Sequence, residues 1–137
     1  MFALVAVAAA LSLAGCVTWF WQRETVMIVD ESDNGKSFTL GPGDRFEVQL
    51  KENQTTPYKW SIVSYDHDVI IKVRDRYERD WAPPGTVGSG GTHVWRFEAV
   101  GIGTSPLVMV NHRIDEKPGR YRGQRFKITL QVDNHVD

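Results

Sequence analysis

Residues 45–51 read Arg-Phe-Glu-Val-Gln-Leu-Lys, so that Phe46, Val48 and Leu50 alternate with Arg45, Glu47, Gln49 and Lys51. Side chains on a strand point alternately to its two faces, so this stretch sets one face in a core and the other in water. The same alternation recurs around Trp95, Phe97 and Ala99, and around Phe126, Ile128, Leu130 and Val132. The run Val69-Ile70-Ile71-Lys72-Val73 is rich in β-branched residues and reads as a further strand. Residues 25–31, 37–40, 58–63 and 107–111 complete the set, with Pro106 just before the last, where a missing N–H is tolerated. Asp33-Asn34-Gly35 reads as a hairpin turn, and Gly41-Pro42-Gly43-Asp44 as a tight turn into the Phe46 strand. Seven to eight short strands without helical periodicity predict an all-β protein, an immunoglobulin-like β-sandwich. Trp60, Trp95, Phe46, Phe97 and Phe126 are the expected core.

The chain has 137 residues, one domain on the usual prior of about 100–200 residues. Sixteen Lys and Arg against seventeen Asp and Glu exclude the basic excess of a general nucleic-acid binder. A single cysteine excludes an internal disulfide and a Cys-rich metal site. His93, His112 and His135 lack metal-ligand spacing, and His67 between Asp66 and Asp68 reads as a polar turn. No nucleophile-elbow motif sets a Ser beside a base. The expectation is therefore a non-enzyme that needs no metal or cofactor.

Residues 1–22 carry no charged side chain, and the run ends near Leu13-Ala14-Gly15-Cys16. Apolar residues followed by small ones and then Cys resemble the lipobox of bacterial lipoproteins. The resemblance implies a signal peptide over residues 1–15, acylation of Cys16 and a lipidated tether over residues 16–24. The globular domain would span residues 25–137. Val17, standing where an Asp would favour inner-membrane retention, points to a cell-envelope lipoprotein of the outer membrane, on its periplasmic face or at the surface.

Three connections are too elaborate for simple turns. The first is Asn53-Gln54-Thr55-Thr56-Pro57. The second runs from Glu78 to Gly91 and includes Trp81, Gly88, Ser89 and Gly90. The third runs from His112 to Gly123 and carries Arg113 and Ile114. They fall between strands three and four, five and six, and seven and eight, so counting parity brings all three to one end of a sandwich. Long loops on a rigid scaffold concentrate binding residues.

These residues resemble the chagasin-type inhibitors of papain-like cysteine peptidases. Asn53 to Trp60 is similar to that family's Asn-Pro-Thr-Thr-Gly-aromatic-x-Trp segment. Gly88-Ser89-Gly90-Gly91 and the strand after it resemble its Gly-x-Gly-Gly loop, and Arg113 falls at the Arg of its Arg-Pro-aromatic loop. The resemblance implies a monomeric inhibitor whose first loop enters the peptidase cleft while the other two grip its walls. It implies peptidase contacts from Asn53, Gln54, Thr55, Thr56, Pro57, Trp81, Gly88, Ser89, Gly90, Gly91, Arg113 and Ile114. Thr55 and Thr56 would present backbone and hydroxyl groups to a narrow slot. The sequence departs from the pattern at Gln54 and Pro57, and Ile114-Asp115 replaces the Pro-aromatic pair. The second reading of the same sandwich is an envelope lipoprotein acting as a structural or adhesion module, since fold alone does not set function.

Overall fold

Alternating strands need a second apolar layer to cover them, and here each sheet covers the other. The computed structural model describes residues 25–134, so the expected signal peptide, Cys16 and the expected tether lie outside the described residues. The strands are β1 (Met27–Val29), β2 (Ser37–Leu40), β3 (Arg45–Glu52), β4 (Tyr58–Ser64), β5 (Ile70–Arg79), β6 (Gly91–Ala99), β7 (Gly103–Arg113) and β8 (Arg125–Val132). They form two four-stranded sheets, ordered β1-β3-β6-β5 and β2-β8-β7-β4. The fold is all-β, an immunoglobulin-like sandwich.

The inward residues of both sheets make one core. Phe46 and Phe97, cross-strand partners on β3 and β6, stack with centroids 5.1 Å apart, and Phe97 and Tyr65 pack T-shaped with centroids 5.6 Å apart. Leu50, Trp60, Trp95, Leu107, Met109, Phe126, Ile128 and Leu130 are buried with them. All five aromatic residues expected inside are inside. Such aromatic pairs add about 0.5–1.5 kcal/mol beyond their burial.

Several expectations change in detail. Asp33-Asn34-Gly35 does not close a hairpin. Residues 31–33 form a 3-10 turn capped by Asp30, whose side chain accepts the Ser32 N–H at 2.9 Å. The chain then changes sheets: β1 pairs parallel with β3, and β2 parallel with β8. A turn signal specifies a reversal, not the strand that follows it. β5 continues through Arg79, and its register shift between Lys72 and Arg74 breaks the period-two pattern that would have disclosed its length. The second loop therefore spans residues 80–90, with Glu78 and Gly91 in strands. The third spans residues 114–124, because β7 runs from Gly103 to Arg113. Pro106 lies inside β7 rather than before it. The pairing of β4 with β7 stops at Val108, so Pro106 interrupts no ladder on that side.

Candidate functional site

The three loops follow the last residues of β3, β5 and β7, which all run toward the same end of the sandwich. The first loop, residues 53–57, is braced by Asn53. Its side-chain oxygen accepts the Thr55 N–H at 3.0 Å and the Thr55 hydroxyl at 2.6 Å. Its carbonyl accepts the Thr56 N–H at 3.1 Å and the Thr56 hydroxyl at 2.7 Å. Asn suits this position because a short amide can hydrogen-bond the backbone two residues on. Both threonine hydroxyl protons are thus directed inward. What Thr55 and Thr56 offer to solvent is backbone, methyl groups and oxygen lone pairs.

Two hydrogen bonds tie this loop to its neighbours. Asn53 Nδ2 donates to the Gly88 carbonyl in the second loop at 3.0 Å, and the Ile114 N–H of the third donates to the Pro57 carbonyl at 2.8 Å. Gln54, Thr55, Thr56 and Pro57 are all exposed between these ties. Pro57 holds its φ near about −65° and its carbonyl is an acceptor, so this departure leaves the loop stiff and anchored.

The second loop is closed at its base by the Asp80 N–H to the Gly90 carbonyl, 3.0 Å. Gly88 has φ +83°, a conformation that a side chain would strain. Trp81 and Val87 are 87% and 94% exposed. In the third loop Ile114 is 62% exposed, and Arg113 Nε donates to Asp115 Oδ1 at 3.0 Å. This hydrogen bond holds the Asp115 carboxyl below its ordinary pKa and the Arg113 guanidinium above its own. The loop folds back so that Tyr121 stacks on His112, centroids 3.8 Å apart. His112 is buried; Nδ1 donates to the Arg113 carbonyl at 2.6 Å, and Nε2 hydrogen-bonds the Ser61 hydroxyl at 2.7 Å. All twelve residues picked out around the three loops therefore lie at one end of the molecule, with Ser89 and Gly90 half-buried and Gly91 buried beneath the others.

Sequence reasoning missed the layer beneath the loops. Glu52, the residue before Asn53, has a buried carboxylate that accepts the Trp60 N–H at 2.6 Å across the neck of the first loop. Its other oxygen meets His93 Nδ1 at 2.9 Å, while His93 Nε2 bonds Asp75 and the ring stacks on Trp95. The Glu52 carbonyl accepts the Tyr77 hydroxyl at 2.9 Å, and Trp60 Nε1 donates to the Lys51 carbonyl at 3.0 Å. The available signal was phase: Glu52 follows Phe46, Val48 and Leu50 on the inward face. A carboxylate at an inward position needs partners.

Comparison with known proteins finds relatives of the chain as a whole. Residues 39–130 match the Chagasin family peptidase inhibitor I42. Amoebiasin-1 of Entamoeba histolytica is 26% identical over 105 residues, covering 77% of this chain and all of the relative. Chagasin of Trypanosoma cruzi is 24% identical over 107 residues, covering 77% of this chain and 96% of the relative. The crystal structure of a cysteine protease inhibitor from Entamoeba histolytica superposes with a TM-score of 0.69 at 21% identity, covering 79% of this chain and 96% of that one.

Proposed function

This chain belongs to the chagasin family of peptidase inhibitors, and on that premise we propose that it blocks papain-like cysteine peptidases by filling the active-site cleft with its three-loop edge. The observation that carries the loop assignment is the pair of inter-loop hydrogen bonds, Asn53 to Gly88 and Ile114 to Pro57. They make one preorganised wedge of three segments, which lowers the ordering cost of binding. Thr55 and Thr56 at its centre enter the cleft. Trp81, Val87 and Ile114 are the exposed apolar anchors on either side, and Trp81 supplies the aromatic contact that the third loop lacks. Aromatic side chains of this kind dominate many interfaces. No bond is made or broken; the inhibitor excludes substrate by occupying its place as a monomer.

The finer reading is of an envelope lipoprotein, acylated at Cys16 after removal of residues 1–15. Chain direction supports it. Met27 pairs with Phe46 near the start of β3, whereas the first loop follows the end of β3 eight residues on. At about 3.3 Å per residue, Met27 therefore lies roughly 25 Å from the loops. An anchor at Cys16 would hold the wedge facing away from the bilayer.

The test is titration of the full chain, held in nonionic detergent, into papain with a fluorogenic substrate. Stoichiometric or competitive inhibition, weakened at least tenfold in Thr55→Ala/Thr56→Ala, is expected. Thr55→Ser/Thr56→Ser keeps the Asn53 brace and should retain most of the inhibition. Equal inhibition by wild type and the Ala pair would remove the first loop from the mechanism. Incorporation of labelled palmitate, abolished by Cys16→Ser, tests the anchor.

A further inference from the structure

The charges of this nearly neutral chain are unevenly distributed. Residues 113–127 contain six Lys and Arg against two Asp and Glu, six minus two giving +4 in a chain of net charge −1. Both acids are engaged within the segment: Asp115 with Arg113, and Glu116 with the Arg122 N–H at 2.8 Å. Lys117, Arg120, Arg122, Arg125 and Lys127 are exposed, and among the described residues none has a carboxylate within ion-pairing distance. Arg125 and Lys127 point outward from β8, in alternation with the buried Phe126 and Ile128. Tyr121, stacked on His112, pins the loop over the outer face of the same sheet, between Arg120 and Arg122. The result is a continuous basic flank beside the loop edge.

The opposite end has the other sign. Its turns, residues 41–44, 65–69 and 100–102, carry Asp44, Asp66 and Asp68 and no Lys or Arg. β1, the first strand described, starts at that acidic end, where Met27 pairs with Phe46. A bilayer with anionic headgroups would thus face the repelled end, with the basic flank about a strand length away.

Resting on the inhibitor reading above, we infer that this flank is a second recognition surface whose partner is an acidic surface of the target peptidase beside its cleft. Unpaired exposed cations of one sign steer an oppositely charged partner and raise the association rate about tenfold or more at low ionic strength. They add little to the contact once salt screens them. The flank therefore selects among peptidases by rate and by surface charge, while the wedge recognises the cleft they share.

The experiment compares papain with papain whose lysines have been succinylated, which turns surface amines into carboxylates. Association rates with the full chain are read from the onset of inhibition. The wild-type chain should associate with the succinylated form at least tenfold faster at low ionic strength, and the gain should vanish at high salt. In Lys117→Glu/Arg120→Glu/Lys127→Glu, checked for an unchanged thermal midpoint, the ratio of the two rates should fall to about one or below. If both papain forms are inhibited at equal rates by wild type, or if the variant keeps the gain, the flank has no such role although the inhibitor reading stands. If neither form is inhibited, the inhibitor reading falls and this inference with it. If the variant's rates on both papain forms match wild type while it alone fails to bind phosphatidylserine-containing vesicles, the flank serves a membrane and the inference is overturned.

Discussion

A methyl group added at Gly91 would lie 2.4 Å from the Glu78 carbonyl and 2.6 Å from the Tyr77 ring. Neither can withdraw, because the carbonyl is strand backbone and the Tyr77 hydroxyl is fixed to Glu52. Gly91→Ala should cost about 1–3 kcal/mol as an overpacking change, read from the urea midpoint. At Gly90 the nearest atom to an added methyl is 3.8 Å away. Gly90→Ala should leave stability within about 0.5 kcal/mol, so any loss of inhibition reports on the peptidase contact alone. These neighbours read alike in the sequence, as two glycines of one loop. What separates them is Tyr77 on the adjacent strand, a partner that no local pattern reveals. Glu52 belongs to the same scale. Glu52→Ala strands the Trp60 N–H and one nitrogen of His93, and should cost about 1–3 kcal/mol per orphaned group in urea unfolding.

Among the elements, the third loop owes part of its shape to the Arg113–Asp115 pair. The hydrogen bond from Arg113 lowers the Asp115 pKa in the folded chain. A lowered carboxyl contributes stabilisation above its unfolded pKa and loses it as pH falls through the folded value. The pair should therefore persist from neutral pH to below the ordinary carboxylate range, and then release Arg113. A carbon-detected titration of Asp115 should show the depressed midpoint, and Arg113→Gln should return it to the ordinary range. Loop position was readable from strand parity, since an odd strand leads into each of the three loops. Loop length was not. The segment Lys72–Arg79, KVRDRYER, looks like a solvated charge run because an edge strand with a bulge alternates poorly, so its last two residues, Glu78 and Arg79, read as loop.

At the scale of the whole molecule there is one core between two sheets. Phe97 is fully buried, stacks on Phe46 and packs T-shaped against Tyr65. Phe97→Ala should destabilise the fold by about 3–5 kcal/mol, measured by urea unfolding. Inhibition should survive wherever the variant remains folded, because the loops rest on Glu52, Asn53 and the strand ends. The sandwich itself could be read from period-two patterns, which say which face of each strand is buried. They do not say which strands are neighbours. The parallel pairs β1–β3 and β2–β8 arise from a sheet change near Gly35, and Gly35 donates its N–H to Lys127, a residue far along the chain. The segments that resemble the family pattern lie together at one end of the sandwich, although Gln54, Pro57 and Ile114 differ from that pattern. One inter-loop bond depends on such a departure: the Pro57 carbonyl would be there with any residue at 57, but the Ile114 N–H exists because Ile stands where the pattern has Pro, which carries no N–H. The same fastening bears on the fate of an inhibitor lodged against a protease. Were the bond between Thr55 and Thr56 hydrolysed, the new carboxyl end would stay secured through Asn53 to Gly88, and the new amino end through Pro57 to Ile114. Thr56 would still reach back across the nick to the Asn53 carbonyl. The severed ends would remain splinted beside each other, poised for religation, and the cut inhibitor would stay in place.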